Sequence, residues 1–181
     1  MNLLYLYLEG CFMFSAVRKN LFVSAVGVLF SVSAAQALEA PQGRVILTVS
    51  GDITHTNSAS GAQFDRSMLL ALDNQELVTD TPWTEGVNTF NGPTLKALLE
   101  AVGAKGKNLS VTAINDYSAN VPAQDAFDHE VLLAMDMNGK PMSIRDKGPI
   151  FVLYPFAKDP SLNNEVIHNR SVWQVKSITV E

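Results

Sequence analysis

The sequence predicts a single α+β domain over residues 38–181, and three observations indicate it. Strand-like runs with alternating apolar residues lie near both ends of this region, at Arg44 to Ser50 and at Val172 to Val180. A helical run, Phe90 to Ala104, lies between them. Turn residues recur about every ten positions, and the region contains no repeat or low-complexity tract. One domain of this length is large enough to bury a core.

The N-terminal segment has the order of a secretory signal. A basic pair at residues 18–19 precedes an apolar run over residues 21–32, and small residues follow at 35–37. The apolar run is shorter than the ~20 residues that a membrane span needs. We therefore expect residues 1–37 to be a cleaved signal peptide, with Met13 as an alternative start. The mature domain is then expected in the periplasm, without membrane insertion.

Charge and cysteine content exclude several function classes. The chain carries 13 basic and 18 acidic residues, a formal charge of -5, and residues 38–181 contain no basic cluster. Nucleic acid and anionic membranes are therefore poor candidate partners. The single cysteine, Cys11, lies in the predicted signal peptide. The mature protein is thus predicted to have no disulfide, no thiolate nucleophile and no cysteine ligand for a metal.

The first half of the domain is predicted to contain two strands and a helix. Arg44 to Ser50 is rich in β-branched residues and predicts the first strand. The apolar spacing in Phe64 to Leu72 predicts a helix, with Asp65 as its cap. Glu76 to Thr79 predicts a short strand, which leads into a loop at Thr81 to Gly86.

Phe90 to Ala104 is the clearest predicted helix. Pro93 suits a first helical turn, and Gly103 suits the end of a helix. Its leucines and Val102 fall on one face, which we expect to lie on a sheet.

The second half of the domain is predicted to be mostly strands. Asn138-Gly139, between apolar flanks, predicts a tight hairpin turn. Four further strands are predicted at Leu109 to Ile114, Val131 to Met135, Pro149 to Tyr154 and Val172 to Val180.

The order of these motifs resembles the molybdopterin-binding domain of sulfite-oxidase-type oxidoreductases. FNGPTLKALLEAVGA, residues 90–104, resembles the family's aromatic-x-Gly-x-x-Leu-x-x-Leu-Leu-x-x-x-Gly segment. The later segments that resemble the family's blocks, in the same order, are AINDYSANVP (113–122), LLAMDMNGKPM (132–142), KGPIFVLYP (147–155) and SVWQVKSITV (171–180). The resemblance implies the mixed, barrel-like sheet of the sulfite-oxidase molybdopterin-binding fold.

The sequence departs from that family at the metal. The family's molybdenum ligand is a cysteine on the loop before this segment, and the corresponding loop here, DTPWTEGVNTF (80–90), contains no sulfur. Molybdenum in these enzymes prefers a soft thiolate, so Asp80 or Thr81 would be a poor replacement. Arginines for an anionic cofactor phosphate are also sparse, with only Arg66, Arg145 and Arg170 in suitable positions.

Because of this departure, the chain most resembles a narrower group of small periplasmic proteins. They keep the fold, bind a pterin without molybdenum, and regulate a membrane cyclic-di-GMP enzyme through its periplasmic sensor domain. The resemblance implies a non-catalytic pterin-binding regulator. The alternatives are a molybdopterin-dependent oxidoreductase, or a subunit of one, and a degenerate domain that serves only as an interaction surface.

Trp83 is the first candidate for the ligand site, because its flat indole can stack on a flat pterin. Its alternative role is to seal the core beneath the helix. Asn115, Asp116 and Tyr117 follow a predicted strand, where a carboxylate could accept two parallel hydrogen bonds from a pterin edge. The alternative there is an Asx-type turn.

The remaining candidates lie beside the later strands. Arg145 either meets a ligand oxygen or pairs with Asp146, and Tyr154 and Arg170 form either the far wall of the site or an edge of the core. Trp173, in the last predicted strand, is expected in the core.

No catalytic or metal motif joins the other polar residues. The three histidines, His55, His129 and His168, are far apart in sequence, and DAFDHE (125–130) matches no zinc or calcium loop. We expect that segment to be a solvated turn. Serine, threonine and histidine show no nucleophile-elbow spacing.

Overall fold

The computed structural model describes residues 38–181, all of which fall within one compact unit. The predicted signal peptide and Cys11 lie outside the described residues. Strands dominate this part of the chain. They are β1 (Val45–Gly51), β2 (Ala62–Asp65), β3 (Asn74–Thr81), β4 (Thr84–Pro93), β5 (Asn108–Ala113), β6 (Ser118–Pro122), β7 (Leu132–Ala134), β8 (Asp136–Met137), β9 (Lys140–Pro141), β10 (Phe151–Leu153) and β11 (Val175–Val180).

The helices are few and short. They are α1 (Arg66–Leu70), α2 (Leu95–Val102), α3 (Asp125–Asp128) and α4 (Glu165–Arg170), with 3₁₀ turns at Ile144–Asp146 and Pro160–Leu162. In residues 38–181 we find no helix with the length and apolar character of a membrane span. The mixed α+β prediction is confirmed, and the architecture agrees with the sulfite-oxidase molybdopterin-binding fold. The strands of residues 38–181 form separate sheets and do not close into a barrel.

The largest sheet has the strand order β2-β1-β11-β5-β6. Strand β11 runs parallel to β1, with Val49 opposite Ile178, and the other neighbours in this sheet are antiparallel. Val49, Val111 and Ile178 are fully or almost fully buried. Because alternate residues of each strand face the same side, this side forms the core.

A second sheet has the order β3-β4-β8-β9, and β10 pairs with β7 beside it. Both are antiparallel. A bridge between Thr94 and Leu132 joins the end of β4 to β7, and a bridge between Phe151 and Trp173 joins β10 to the segment before β11.

Helix α2 confirms the main part of the helix prediction. Thr94 caps it by accepting a hydrogen bond from the Ala97 N–H (3.1 Å), and Gly103 ends it in the left-handed conformation. Leu95, Leu98, Leu99 and Val102 are buried.

The prediction that the helix begins at Phe90 is wrong, because residues 90–93 are the end of β4. Pro93 therefore precedes the helix cap instead of occupying its first turn. The predicted loop at Thr81 to Gly86 is likewise wrong, since it is a tight hairpin between β3 and β4. Asn91 pairs with Glu76 of β3 and with Asp136 of β8, and this strand pairing overrides the helical signal of the local sequence.

The predicted helix at Phe64 to Leu72 is shorter than expected, because its first two residues belong to β2. Asp65 is nevertheless its cap, accepting from the Met68 N–H (2.9 Å). The Asp65 carboxylate accepts further hydrogen bonds from the Ser67 hydroxyl and from the Gly43 N–H. These bonds, that of Ser67 first, together with the Met68 bond, hold the pKa of Asp65 well below its usual range.

The turn at Asn138-Gly139 is confirmed, since both residues have positive φ, at 53° and 74°, between β8 and β9. Strands β7, β10 and β11 confirm the later strand predictions with shorter bounds, and β5 confirms its prediction with the same length, shifted by one residue. Strand β6 and helix α4 were not predicted from the sequence, and both lie beside the candidate site.

Candidate functional site

A cleft of about 330 Å³ opens between the β3–β4 hairpin, the β5–β6 turn and the segment from α4 to β11. This volume is at the lower end of the usual range for small-molecule sites. We call it the tryptophan cleft. Its lining residues are Trp83, Ala113, Asn115, Tyr117, His168, Asn169, Ser171, Val172 and Trp173.

Trp83 stands at the turn of the β3–β4 hairpin, and a pair of threonines fixes that turn. The hydroxyls of Thr81 and Thr84 lie 2.7 Å apart, and the Trp83 N–H donates to Thr81 Oγ1 (3.2 Å). The indole lies edge-to-face near Phe151, at 5.8 Å, and near Phe156, at 6.0 Å. Trp83 therefore packs on the core, which is its alternative role, and it also lines the cleft, which is the position that its role in ligand stacking requires.

Trp173 lies beside Trp83, with ring centroids 5.7 Å apart and planes at 60°. Its exposed fraction is 38 %, so the prediction that Trp173 belongs to the core is wrong. The reason is local, because Gln174 has a φ of 55° and interrupts the strand alternation before β11 begins. Lys147 Nζ lies 5.1 Å from the centre of the Trp173 ring, within cation–π range.

His168 reaches the cleft from α4. Its ring centroid is 5.4 Å from that of Trp83, and its Nε2 lies 2.7 Å from Asn163 Oδ1. Sequence analysis did not select His168, because α4 was not predicted. The available signal was Asn164, which caps α4 by accepting from the Ile167 N–H (3.1 Å).

The turn between β5 and β6 brings Asn115 and Tyr117 to the cleft. It is an Asx-type turn, since Asn115 Oδ1 accepts from the Tyr117 N–H (3.2 Å). Asp116 has a φ of 67° and does not line the cleft. Its carboxylate instead accepts from Lys176 Nζ (2.5 Å), and this bond and the lysine charge lower the pKa of Asp116. Of the three predicted residues, the turn thus supplies two.

Arg145 does not pair with Asp146, and it does not line the tryptophan cleft. It lies exposed in a 3₁₀ turn away from the cleft, and it forms no ion pair among the residues described. Asp146 accepts instead from the Ser143 hydroxyl (2.6 Å), because the tight turn brings these two side chains together.

Tyr154 and Arg170 also lie apart from the cleft lining. The Tyr154 hydroxyl donates to Asp125 Oδ2 (2.6 Å), and Arg170 Nη1 donates to the same oxygen (2.9 Å). Asp125 is 7 % exposed, so the prediction that residues 125–130 form a solvated turn is wrong at this residue. Its buried carboxylate is stabilised by two donors.

The chemistry of the cleft is aromatic and polar. Its lining combines two indoles with amide, imidazole and hydroxyl groups, and it contains no sulfur atom and no lysine or arginine side chain. In residues 38–181 we find no cluster of three or more histidine, cysteine, aspartate or glutamate residues able to hold a metal. Such a cleft can stack a flat ring and form hydrogen bonds to its edge.

Comparison with known proteins connects part of this cleft with a family. The family model of the oxidoreductase molybdopterin binding domain matches residues 48–157. Trp83, Asn115 and Tyr117 lie inside the matched range, whereas His168 and Trp173 lie beyond it. No curated protein matches the chain.

Proposed function

Because the chain belongs to the oxidoreductase molybdopterin-binding domain family, whose model covers residues 48–157, we propose that it binds a molybdenum-free pterin in the tryptophan cleft. The observation that carries this proposal is the pair of indoles, Trp83 and Trp173, that stand 5.7 Å apart on the cleft lining. A pterin is a flat heterocycle, and indole rings are good stacking partners for such rings.

The polar lining groups suit the edge of a pterin. That edge carries both N–H donors and ring-nitrogen or carbonyl acceptors. Asn115 and Asn169 offer amide groups that both donate and accept, and His168 has a second ring nitrogen besides the one near Asn163. These groups support recognition of a neutral heterocycle, because none of them requires a charged partner.

The family's complete cofactor fits the cleft less well than the pterin ring does. Molybdopterin carries a phosphate, for which arginine or lysine is the usual partner. The lining contains neither, and Lys147, which lies outside the lining, has its Nζ 5.1 Å from the centre of the Trp173 ring. Arg170 is close in sequence, but its guanidinium is bonded to Asp125. Molybdenum in this family needs a thiolate, and residues 80–90 supply none. We therefore propose binding without oxidoreductase turnover.

The metal part of the proposal predicts low molybdenum content. Protein produced in a molybdenum-replete host should contain far less than one molybdenum atom per chain by elemental analysis, because the loop at residues 80–90, where the family carries its ligand cysteine, supplies no thiolate. It should also neither oxidise sulfite nor reduce a sulfoxide. A family member that has the ligand cysteine, made in the same host, is the control. Stoichiometric molybdenum with turnover would instead favour the oxidoreductase alternative.

We extend the proposal to the cellular role. The basic, apolar and small-residue order of residues 1–37 supports export to the periplasm, and the resemblance described above supports regulation of a membrane cyclic-di-GMP enzyme. A ligand controls such a partner only through its different affinity for the free and the partner-bound protein.

This role predicts ligand-dependent capture of a membrane partner. The mature chain, which intact-mass measurement should find to begin at Leu38, is expected to retain the periplasmic domain of a membrane receptor from native membranes. The captured amount should differ between samples with and without added 6-hydroxymethylpterin. Equal or absent capture in both samples would contradict the regulatory role while leaving pterin binding open to its own test. The third alternative, an interaction surface alone, predicts equal capture.

A further inference from the structure

A buried carboxylate, that of Asp125, lies outside the lining of the tryptophan cleft. Asp125 Oδ2 accepts hydrogen bonds from the Tyr154 hydroxyl at 2.6 Å and from Arg170 Nη1 at 2.9 Å. Tyr154 is fully buried, and the side chains of Arg170 and Asp125 are 25 % and 10 % exposed. A carboxylate in such surroundings is stable only while its donors remain in place.

These three residues come from separate elements. Asp125 begins α3, Tyr154 follows β10, and Arg170 is the last residue of α4. Helix α4 has only six residues, too few to be stable through its own backbone hydrogen bonds. Its position therefore depends on contacts with the rest of the domain.

The same short helix supplies one wall of the cleft. His168 and Asn169, which directly precede Arg170, both line it. Other contacts also hold α4, and among them the His168 ring packs edge-to-face near Trp83 (5.4 Å between centroids) and near Phe156 (6.0 Å). Ile167 is buried, Asn164 caps the first turn, and the Tyr117 hydroxyl is 3.5 Å from the Asn169 carbonyl oxygen, at the limit of a hydrogen bond. The ion pair of Arg170 is thus the strongest polar tie at the C-terminal end of α4.

We propose that Arg170 is a positioning residue for the tryptophan cleft. Its ion pair with Asp125 fixes the C-terminal end of α4, and thereby sets the position of His168 and Asn169 against a bound pterin. The inference rests on the proposed function, and it goes beyond it by assigning part of the affinity to a residue outside the cleft lining.

Tyr154 keeps this arrangement constant across neutral pH. Burial and, after it, the Asp125 carboxylate raise the pKa of the Tyr154 phenol far above its usual range, so the hydroxyl stays a donor. Arginine is likewise always charged. Both donors to Asp125 therefore persist, and the arrangement acts as a permanent support.

The test compares the affinity for 6-hydroxymethylpterin by isothermal titration calorimetry in wild type, Arg170→Met and Arg170→Lys. Arg170→Met should weaken binding about tenfold, the lower end of the loss seen at metal sites when a group that orients a ligand-binding residue is removed. Arg170→Lys keeps the charge but loses the planar guanidinium, so its affinity should lie between the other two. Hydrogen exchange should be faster in α4 of Arg170→Met.

A destabilised control separates positioning from general stability. Val49→Ala removes buried volume in β1, away from the cleft, and should lower the melting temperature without weakening pterin binding. If Arg170→Met does not fold at the assay temperature, Arg170→Lys carries the comparison. If wild type binds the pterin and the folded Arg170 variants bind it with the same affinity, this inference is overturned and the proposed function is not. Absence of binding by wild type would overturn the proposed function, and this inference with it.

Discussion

Trp83→Ala is expected to weaken the binding of 6-hydroxymethylpterin by roughly ten- to a hundredfold. Stacking on an aromatic side chain is worth ~1 to 3 kcal/mol by alanine substitution, and each ~1.4 kcal/mol is about tenfold in affinity. The indole lines the cleft and is held in place by the Thr81–Thr84 turn and by Phe151 and Phe156. Isothermal titration calorimetry on wild type and variant measures the change.

Trp83 also packs on the core, so the variant needs matched controls. Trp83→Phe keeps an aromatic face and should retain most of the affinity, and circular dichroism must find each variant folded at the assay temperature. Trp173→Ala should weaken binding as well, because Trp173 is 38 % exposed on the cleft instead of buried. Equal affinity in wild type and folded Trp83→Ala would remove Trp83 from the ligand site and leave it only the packing role.

Gly92→Ala is expected to destabilise the domain strongly. Gly92 is the glycine of the aromatic-x-Gly segment, and a Cβ built on it would lie 2.1 Å from the Leu133 carbonyl oxygen and 3.0 Å from its carbonyl carbon. These are backbone atoms beside a paired strand, so they cannot turn away as a side chain can. Forcing extra volume into such a site typically costs up to about 3 kcal/mol. For a domain of this size that lowers the melting temperature by roughly 10 °C.

Gly43→Ala is the matched control for this substitution. A Cβ there would be 3.4 Å from the nearest atom, an oxygen of the Asp65 side chain, which is an ordinary contact. Its melting temperature should therefore stay within a few degrees of wild type, about the range of a neutral surface change. A Gly92→Ala variant as stable as Gly43→Ala would mean that β4 and β7 separate easily, contrary to the close approach in the structure.

The sequence predicts α2 well and its beginning poorly. The leucine spacing and Gly103 mark a helix through short-range signals, and both lie where a helix needs them. Residues 90–93 belong to β4 because they pair with β3, and Phe90 and Asn91 pair with β8 as well. The paired residues are distant in sequence. Local periodicity cannot report such pairing, which overrides weak helix propensity.

Some residues of the candidate site could likewise be predicted from the local sequence, and others could not. Trp83, Asn115 and Tyr117 could be predicted, because they stand in turns that follow recognisable strands. Trp173 could not, since its exposure depends on the left-handed backbone of Gln174. His168 was missed because α4 is too short to leave a periodic pattern. The pairing of Tyr154 and Arg170 with Asp125 joins residues up to 45 positions apart, which no local signal reveals.

Native mass spectrometry of the protein purified from its own cells tests the central claim most directly. Under gentle ionisation, the folded mature chain should carry one additional mass that corresponds to a pterin, and fluorescence of the released compound should identify the heterocycle. The same preparation of Trp83→Ala should carry much less of it. A chain that carries the added mass of a molybdenum cofactor, or a wild-type chain with no bound heterocycle, would contradict the account.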